Sequence, residues 1–290
     1  MKKKIGILGS GVLAKSFGKL FHEAQGYCVD VLVARNIEKA QSSISFIGEG
    51  FASESLVDLS DSDIILIAVS DSAIEESAIS LKSKIPNLSA ELVFHCSGAY
   101  DSSLLSVLKS NTTNIGSLHP LNSFVAPLET LGAFEGINCA LEGCPSSVES
   151  MRIIVEDLGG SSFVLTAKEK PVYHAAAVFA SNYLVSTLSA ASELFSEIGL
   201  EDKFGLLRQL SLNSLENVFE RGAQNALTGP IERGDVKLVS SQLRALENYP
   251  ELQSLYCELG RQTLKIANSR GKLEVVDIKA LESLFGSFRQ

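Results

Sequence analysis

Six consecutive apolar residues, Ile64 to Val69, run without one polar residue among them. A strand of this kind must be covered on both faces, as helices cover the central strand of a parallel sheet. Short β-branched runs and amphipathic helical patterns alternate around it, which is typical of βαβ units. The predicted strands are 4–8, 29–33, 63–69, 92–95, 114–118 and 138–141, followed by a helix at 148–158 and a short strand at 163–165.

The pattern changes after the last of these strands. From Pro171 onward no strand is predicted, and apolar residues recur with the period of a helix. The predicted helices are 172–198, 204–226, 235–246, 252–269 and 276–288. The sequence therefore predicts an α/β domain with a doubly wound parallel sheet over residues 1–166, followed by an all-helical domain over 167–290.

Composition excludes several classes of function. The chain has 290 residues, 45% of them apolar, and a formal net charge of −9, which disfavours binding to nucleic acid. No apolar run is long enough for a membrane span, and the basic start Lys2-Lys3-Lys4 is not followed by the apolar region of a signal peptide. The five cysteines form no C-x-x-C pair. We expect a cytoplasmic protein with reduced thiols and no metal site.

A glycine-rich turn follows the first predicted strand directly and opens a helix. The segment Gly9-Ser10-Gly11-Val12-Leu13-Ala14 has the G-x-G-x-x-A form of the dinucleotide-binding fingerprint of Rossmann domains. Gly9 allows the tight turn, Gly11 lets the backbone approach a pyrophosphate, and the helix N-terminus offers N–H groups to its phosphates. The predicted cofactor-binding residues here are Gly9, Ser10, Gly11, Val12 and Leu13. The alternative is a purely structural turn.

The end of the second strand bears on the choice of cofactor. NAD-binding domains usually carry an acidic residue there for the ribose 2′-OH, whereas this strand ends at Val33-Ala34-Arg35. Arg35 can pair with a 2′-phosphate, so NADP is favoured and NAD stays possible. Asp30 has a suitable spacing but lies at the start of the strand, and Arg35 could instead be a surface charge.

Two further loops follow strands and should reach the same edge of the sheet. Ser70 follows the central strand and Ser97 follows the strand at 92–95, so both are expected near the nicotinamide. The alternative role for these serines is helix capping, which is favoured for Asp71 and Ser72.

Reduction of a carbonyl or imine needs a proton donor, and histidine suits that role near neutral pH. His119 leaves a strand end in Ser117-Leu118-His119-Pro120, and His174 opens the first long helix of the second domain. Asn182 lies two turns beyond His174 and could orient substrate. The alternatives are a core role for His95, a surface position for His22 and plain helix packing around His174.

The segment 227–235 is rich in helix-breaking residues. Its glycines and proline expose Thr228 and Arg233, which could hold an anionic substrate. A turn between two helices is the alternative. Candidate substrate-binding residues are therefore Ser97, Thr228 and Arg233.

These segments resemble the bacterial family of Rossmann-like oxidoreductases with a helical C-terminal domain of unknown function. The matching segments are Gly9 to Ala14, His95 to Ala99, Ser117 to Leu121 with Phe124, Tyr173 to Asn182, and Ala226 to Asp235. The family is similar in architecture to 6-phosphogluconate and 3-hydroxyacid dehydrogenases, pyrroline-5-carboxylate reductase and prephenate dehydrogenase. The resemblance implies NAD(P) binding and a homodimer formed by a helical domain like the C-terminal domain of 6-phosphogluconate dehydrogenase.

The resemblance also limits the mechanism. The catalytic lysine of the 3-hydroxyacid dehydrogenases would fall at Val178, whereas His119-Pro120 resembles the prephenate dehydrogenases, where such a histidine assists hydride transfer. We expect an NADP-dependent oxidoreductase acting on a small, anionic carbonyl, imine or hydroxy compound in the interdomain cleft. The alternatives are a non-catalytic NADP(H)-binding sensor or regulatory module and a deazaflavin-dependent reductase.

Overall fold

The computed structural model describes residues 1–287. The last predicted helix extended to Phe288, which lies outside the described residues. The chain forms two compact units, Met1–Tyr183 and a second that begins at Leu184. The predicted boundary at 166/167 marks the change from strands to helices, whereas the compact units divide after Tyr183.

The first unit contains eight strands and the first helices of the chain. The strands are β1 (Lys3–Leu8), β2 (Tyr27–Val33), β3 (Phe51–Ser53), β4 (Ile64–Ile67), β5 (Leu92–His95), β6 (Asn114–Pro120), β7 (Asn138–Gly143) and β8 (Ser161–Val164). The α-helices within residues 1–287 are α1 (Val12–Glu23), α2 (Ile37–Ile47), α3 (Ile74–Lys84), α4 (Pro145–Asp157), α5 (Lys170–Ala180), α6 (Asn182–Glu197), α7 (Lys203–Ala226), α8 (Val236–Ala245), α9 (Pro250–Asn268) and α10 (Val275–Gly286).

The strands form one sheet in the order β3-β2-β1-β4-β5-β6-β7-β8. All neighbours are parallel except β6 and β7. The chain order reverses between β1 and β4, which is the topological switch point of a doubly wound sheet. The predicted Rossmann fold class with a helical C-terminal part is therefore confirmed.

The apolar run that includes β4 is buried between two hydrophobic clusters. Ile64 and Leu66 belong to the cluster formed with α1, α2 and α4, whereas Ile65 and Ile67 belong to the cluster formed with α3. Successive side chains of a strand point to opposite faces, so an unbroken apolar run supplies both clusters. The predicted coverage of this strand on both faces is confirmed.

The structure differs from the sequence prediction at two places in the sheet. The three-residue strand β3 was not predicted, because it is short and lies at the edge of the sheet, where an alternating apolar pattern is not required. The strand β7 was expected in a parallel sheet and is antiparallel to β6. Its first residue lies beside the end of β6, since the N–H of Leu121 donates to the carbonyl of Asn138 at 2.8 Å.

The predicted helices of the C-terminal part are present with two interruptions. The single helix predicted over 172–198 is broken at Ser181 into α5 and α6, and α7 contains a non-helical residue, Gly222, with φ 74°. In the second unit, side chains of α8, α9 and α10 form a third core cluster that includes Leu243, Leu264 and Phe285. No helix within residues 1–287 is long and apolar enough to cross a membrane.

We expect Gly9→Ala to destabilise the protein by about 2 kcal/mol or more, because two independent constraints act at this residue. Gly9 has φ +128°, and a methyl group there would lie 2.2 Å from the carbonyl oxygen of Ala68, beside the end of β4. Urea unfolding of the full chain measures the change in the free energy of unfolding.

Gly11→Ala is the matched control for this substitution. Its added methyl group meets no atom within 4 Å and its φ is −77°, so we expect a loss of about 1 kcal/mol or less. Equal unfolding free energies for the two variants would contradict the steric account of Gly9.

Candidate active site

The predicted site residues of the first unit are carried by strand ends that share one edge of the sheet. Gly9 follows β1, Ser70 follows β4, Ser97 follows β5 and His119 is the penultimate residue of β6. Because these four strands are parallel, their carboxyl ends meet at the same edge. Ligands of doubly wound sheets bind at this edge.

The glycine-rich turn leaves the N-terminus of α1 open. Gly11 is the N-cap residue, no side chain caps the helix, and its first turn contains no acidic residue. A helix start of this kind has unpaired N–H groups and a partial positive charge, which together suit a phosphate.

The end of β2 presents the predicted phosphate ligand. Arg35 is exposed, and Asn36 beside it caps α2 by accepting from the N–H of Lys39 at 2.8 Å. Asp30 forms an ion pair with Lys4 at 3.8 Å, and so it is engaged at the other end of the strands. Binding of a 2′-phosphate by Arg35 stays a prediction.

The loop after β5 is held by a network of hydrogen bonds. Ser97 is buried, and its hydroxyl donates to Oδ2 of Asp71 at 2.8 Å and accepts from the N–H of Tyr100 at 3.1 Å. The Asp71 carboxylate thus contacts the neighbouring loop. The helix-capping role that the sequence favoured for Asp71 is not observed. Ser70 is exposed beside it and makes no side-chain capping bond.

His95 is a core histidine. Its Nδ1 accepts from the N–H of Ser97 at 3.1 Å, which leaves the ring proton on Nε2 for the carbonyl of Asp101, also at 3.1 Å. Burial lowers the pKa of His95 to about 4. The ring is therefore neutral near pH 7, with both nitrogens paired inside the protein.

The first turns of α5 bring three polar side chains to the same edge. Lys170, Tyr173 and His174 have the spacing i, i+3 and i+4, which places them on one face of a helix. The Tyr173 hydroxyl lies 2.7 Å from Nδ1 of His119, and the His174 ring centroid lies 5.9 Å from that of His119. The predicted histidines His119 and His174 are therefore neighbours.

The two histidines pack against the backbone of Gly98. A methyl group on Gly98 would lie 2.4 Å from Nδ1 of His174 and 2.8 Å from Nε2 of His119. Only glycine leaves this space to the imidazoles. Nδ1 of His174 is buried and has no hydrogen-bond partner among the described residues.

Burial controls the protonation of His119 and Tyr173. It lowers the pKa of His119 to about 4, and the Coulombic influences of Lys170 and His174 act in the same direction. Burial raises the pKa of Tyr173 to about 12. Near pH 7 the imidazole is neutral and the phenol is protonated, so the phenol can donate to Nδ1 and leave the imidazole proton on Nε2. From the sequence alone, an ordinary pKa was expected for this histidine.

Lys170 was not among the predicted site residues. It is 1% exposed, and its Nζ donates to the carbonyl of Ser97 at 2.9 Å and to the Ser117 hydroxyl at 2.7 Å. In the sequence it stands in Lys168-Glu169-Lys170-Pro171, which is typical of an exposed helix start. Its helical spacing from Tyr173 and His174 is the signal that could have identified it.

The other predicted residues lie elsewhere in the chain. Asn182 is exposed at the start of α6. Thr228 and Arg233 are exposed in the second unit, in the turn between α7 and α8. Arg270 fixes this turn by donating to the carbonyl of Leu227 at 3.2 Å and to Glu232 at 2.8 Å. Roles for Asn182, Thr228 and Arg233 in ligand binding stay predictions.

Comparison with known proteins identifies related folds. Residues 137–263 match the model of a domain of unknown function, DUF2520. A crystal structure of a protein from Thermotoga maritima is 26% identical and has a TM-score of 0.73, with 92% of this chain and 100% of that chain covered. No curated protein matches the chain.

Two further structures share the fold at lower identity. A Bacteroides fragilis protein assigned as an NADP oxidoreductase is 21% identical, with a TM-score of 0.74 over 91% of this chain and 98% of its own. An imine reductase from Myxococcus stipitatus, solved in complex with NADP+, is 16% identical, with a TM-score of 0.60 over 93% and 94%. Together these matches show a Rossmann-like fold with a helical C-terminal part, as the resemblance implied.

Proposed function

We propose that this protein is an NADP-dependent oxidoreductase acting on a small, anionic carbonyl, imine or hydroxy compound. The observation that carries the proposal is the cluster of His119, Tyr173 and His174 around Gly98. This cluster lies at the sheet edge to which the glycine-rich turn also belongs, so a bound dinucleotide and a proton-donating group would lie at the same edge.

The cofactor is proposed from the residues at that edge. The tight turn at Gly9, the open position at Gly11 and the uncapped start of α1 suit a pyrophosphate, and the exposed Arg35 suits a 2′-phosphate. Val12 and Leu13 form the first turn of α1, and Ser10, Ser70 and Ser97 are proposed to line the same site. An imine reductase solved with NADP+ shares the fold, which supports this choice.

We expect NADPH to bind at least about tenfold more tightly than NADH, which corresponds to about 1.4 kcal/mol. Arg35→Ala should remove that preference because it removes the charge that pairs with the 2′-phosphate. Calorimetry on the full chain gives both dissociation constants.

The control for this experiment is Arg152→Ala, which removes an arginine of α4 that pairs with Glu149. Its affinity for NADPH should equal that of the unmodified protein. Absence of binding for both dinucleotides would overturn the proposed function, and an unchanged preference in Arg35→Ala would overturn the role of Arg35.

The chemistry follows from the protonation of the site. A bound dihydronicotinamide would supply a hydride to the carbon of a carbonyl or imine, and negative charge would develop on the heteroatom. His119 is neutral near pH 7, so we propose that it acts as a hydrogen-bond and proton donor through its Nε2–H and not as an imidazolium. As the Nε2 proton leaves, Nδ1 takes the hydroxyl proton of Tyr173, so that the ring stays neutral. His174 is the second candidate donor, and Asn182 is proposed to orient the substrate.

We expect His119→Asn to lower turnover by about 10²-fold to 10⁴-fold without a change in the NADPH dissociation constant. Consumption of NADPH with a panel of small keto acids, imines and aldehydes provides the assay. His174→Asn is measured in parallel, and His22→Asn, a variant at a half-exposed histidine of α1, is the control. Full activity of both site variants would exclude these two residues as donors.

A non-catalytic NADP(H)-binding sensor is the second candidate function. The observation that favours it is Val178, which occupies the position of the catalytic lysine in the 3-hydroxyacid dehydrogenases that the sequence resembles. Saturable NADPH binding without turnover on the whole panel would support the sensor. Competition with a reduced deazaflavin tests the third possibility on the same fold.

We also propose a homodimer through the helical part of the chain. On α7, Leu206 is 53% exposed and Leu210 is 67% exposed, and the two lie one turn apart on the same face of the helix. Exposed apolar residues grouped in this way usually mark an interaction surface. Location in the cytoplasm and binding of an anionic substrate by Thr228 and Arg233 stay predictions.

Sedimentation of the full chain should give about twice the chain mass of 31.0 kDa. Leu210→Glu should shift this mass toward the monomer, because it places a charge in an apolar interface. Val57→Glu, at an exposed apolar residue of the first unit, is the control and should leave the mass unchanged. A monomer in the unmodified protein would contradict the proposal.

A further inference from the structure

Lys170 is a buried cation without an ion-pair partner among the described residues. Burying an ammonium group costs several kcal/mol unless a partner compensates, and here both hydrogen-bond acceptors of Nζ are neutral oxygens. Burial also lowers the pKa of Lys170. A group held at such a cost at the sheet edge that carries the histidines is a candidate for a role in function.

The nearby carboxylates are occupied by other partners. Glu142 accepts from the N–H and the hydroxyl of Ser102 at 2.6 and 3.0 Å. Asp101 accepts from the N–H of Ser103, and Asp71 accepts from Ser97. The lysine is therefore directed to the backbone and hydroxyl oxygens of the site and not to an acidic side chain.

The two acceptors of Lys170 belong to the two elements that form the histidine cluster. Ser97 directly precedes Gly98 in the loop after β5. Ser117 lies two residues before His119 on β6, so the side chains of Ser117 and His119 lie on the same face of that strand. The Ser117 hydroxyl also donates to the carbonyl of Ser97 at 3.2 Å. The ammonium group thus joins the loop after β5 to β6.

We propose that Lys170 is a positioning residue: its buried ammonium group locks the Ser97–Gly98 loop to β6 and so seats His119 and His174 against Gly98. The same turn of α5 carries His174, and the lysine fixes where that turn begins on the sheet edge. The contribution of Lys170 to the reaction rests on the proposed function, whereas the hydrogen bonds by which it joins the Ser97–Gly98 loop to β6 are a property of the fold.

The charge of Lys170 also affects the pKa of His119. The ring is faced by Lys170, Tyr173 and His174 from α5 and by Asp71 from the loop after β4. After burial, the charge of Lys170 is the largest influence that lowers the pKa of His119, whereas Asp71 raises it. Loss of the lysine charge should therefore raise that pKa, and a lysine that only filled space would not alter it.

Lys170→Met in the full chain tests the proposal by NMR. We expect the pKa of the His119 imidazole to rise by about 1 unit, and the amide protons of Ser97 and Tyr100 to exchange at least about tenfold faster. The His119 signals are assigned by their loss in His119→Asn. Lys168→Met removes an exposed lysine two residues earlier and should change neither quantity.

Ser117→Ala keeps the charge of Lys170 but removes one of the two hydrogen-bond acceptors of its Nζ. If Lys170→Met does not fold, faster exchange at Ser97 in Ser117→Ala supports the proposal, and unchanged exchange overturns it. A folded Lys170→Met with the original His119 pKa and exchange rates also overturns it. None of these measurements needs NADPH, so absence of NADPH binding would refute the proposed function alone.

Discussion

The contact between the first turns of α5 and the carboxyl ends of β5 and β6 is the interaction on which the candidate site depends. Lys170 bonds the Ser97 loop and β6, and Tyr173 bonds His119. His174 lies on α5 and His119 on β6, so this contact brings the two rings together. It also explains why the first compact unit extends to Tyr183, beyond the last strand of the sheet.

The polarity of this contact sets its chemistry. An apolar contact of the same size would stabilise the helix more, because burial of apolar area is the main source of stability. A buried ammonium group gives less net stability but imposes direction, since each of its N–H groups needs an acceptor. The same burial keeps His119 neutral and Tyr173 protonated near pH 7. The site therefore holds its proton on a neutral ring, a state suited to hydrogen-bond donation to a developing negative charge.

The sequence predicted most of the sheet because its signals are local. The apolar run of β4 and the glycine turn after β1 follow from the period of the strand and from the φ that Gly9 must adopt. Elements without a strong local signal were missed or altered. The edge strand β3 is too short to show a period, and the break at Ser181 interrupts a continuous helical pattern without a glycine or proline to mark it.

The amino-acid sequence by itself determined the Rossmann-like sheet, the helical C-terminal part, the glycine turn and the placement of His119 at a strand end. Tertiary structure alone decided that His119 meets Tyr173 and His174, that burial neutralises its ring, and that Lys170 is inside the protein. The physical reason is sequence separation: Lys170 meets its acceptors across 53 and 73 residues, and no local period encodes such a contact. Burial and the charges around a ring arise only when the elements pack, so protonation is a property of the folded chain.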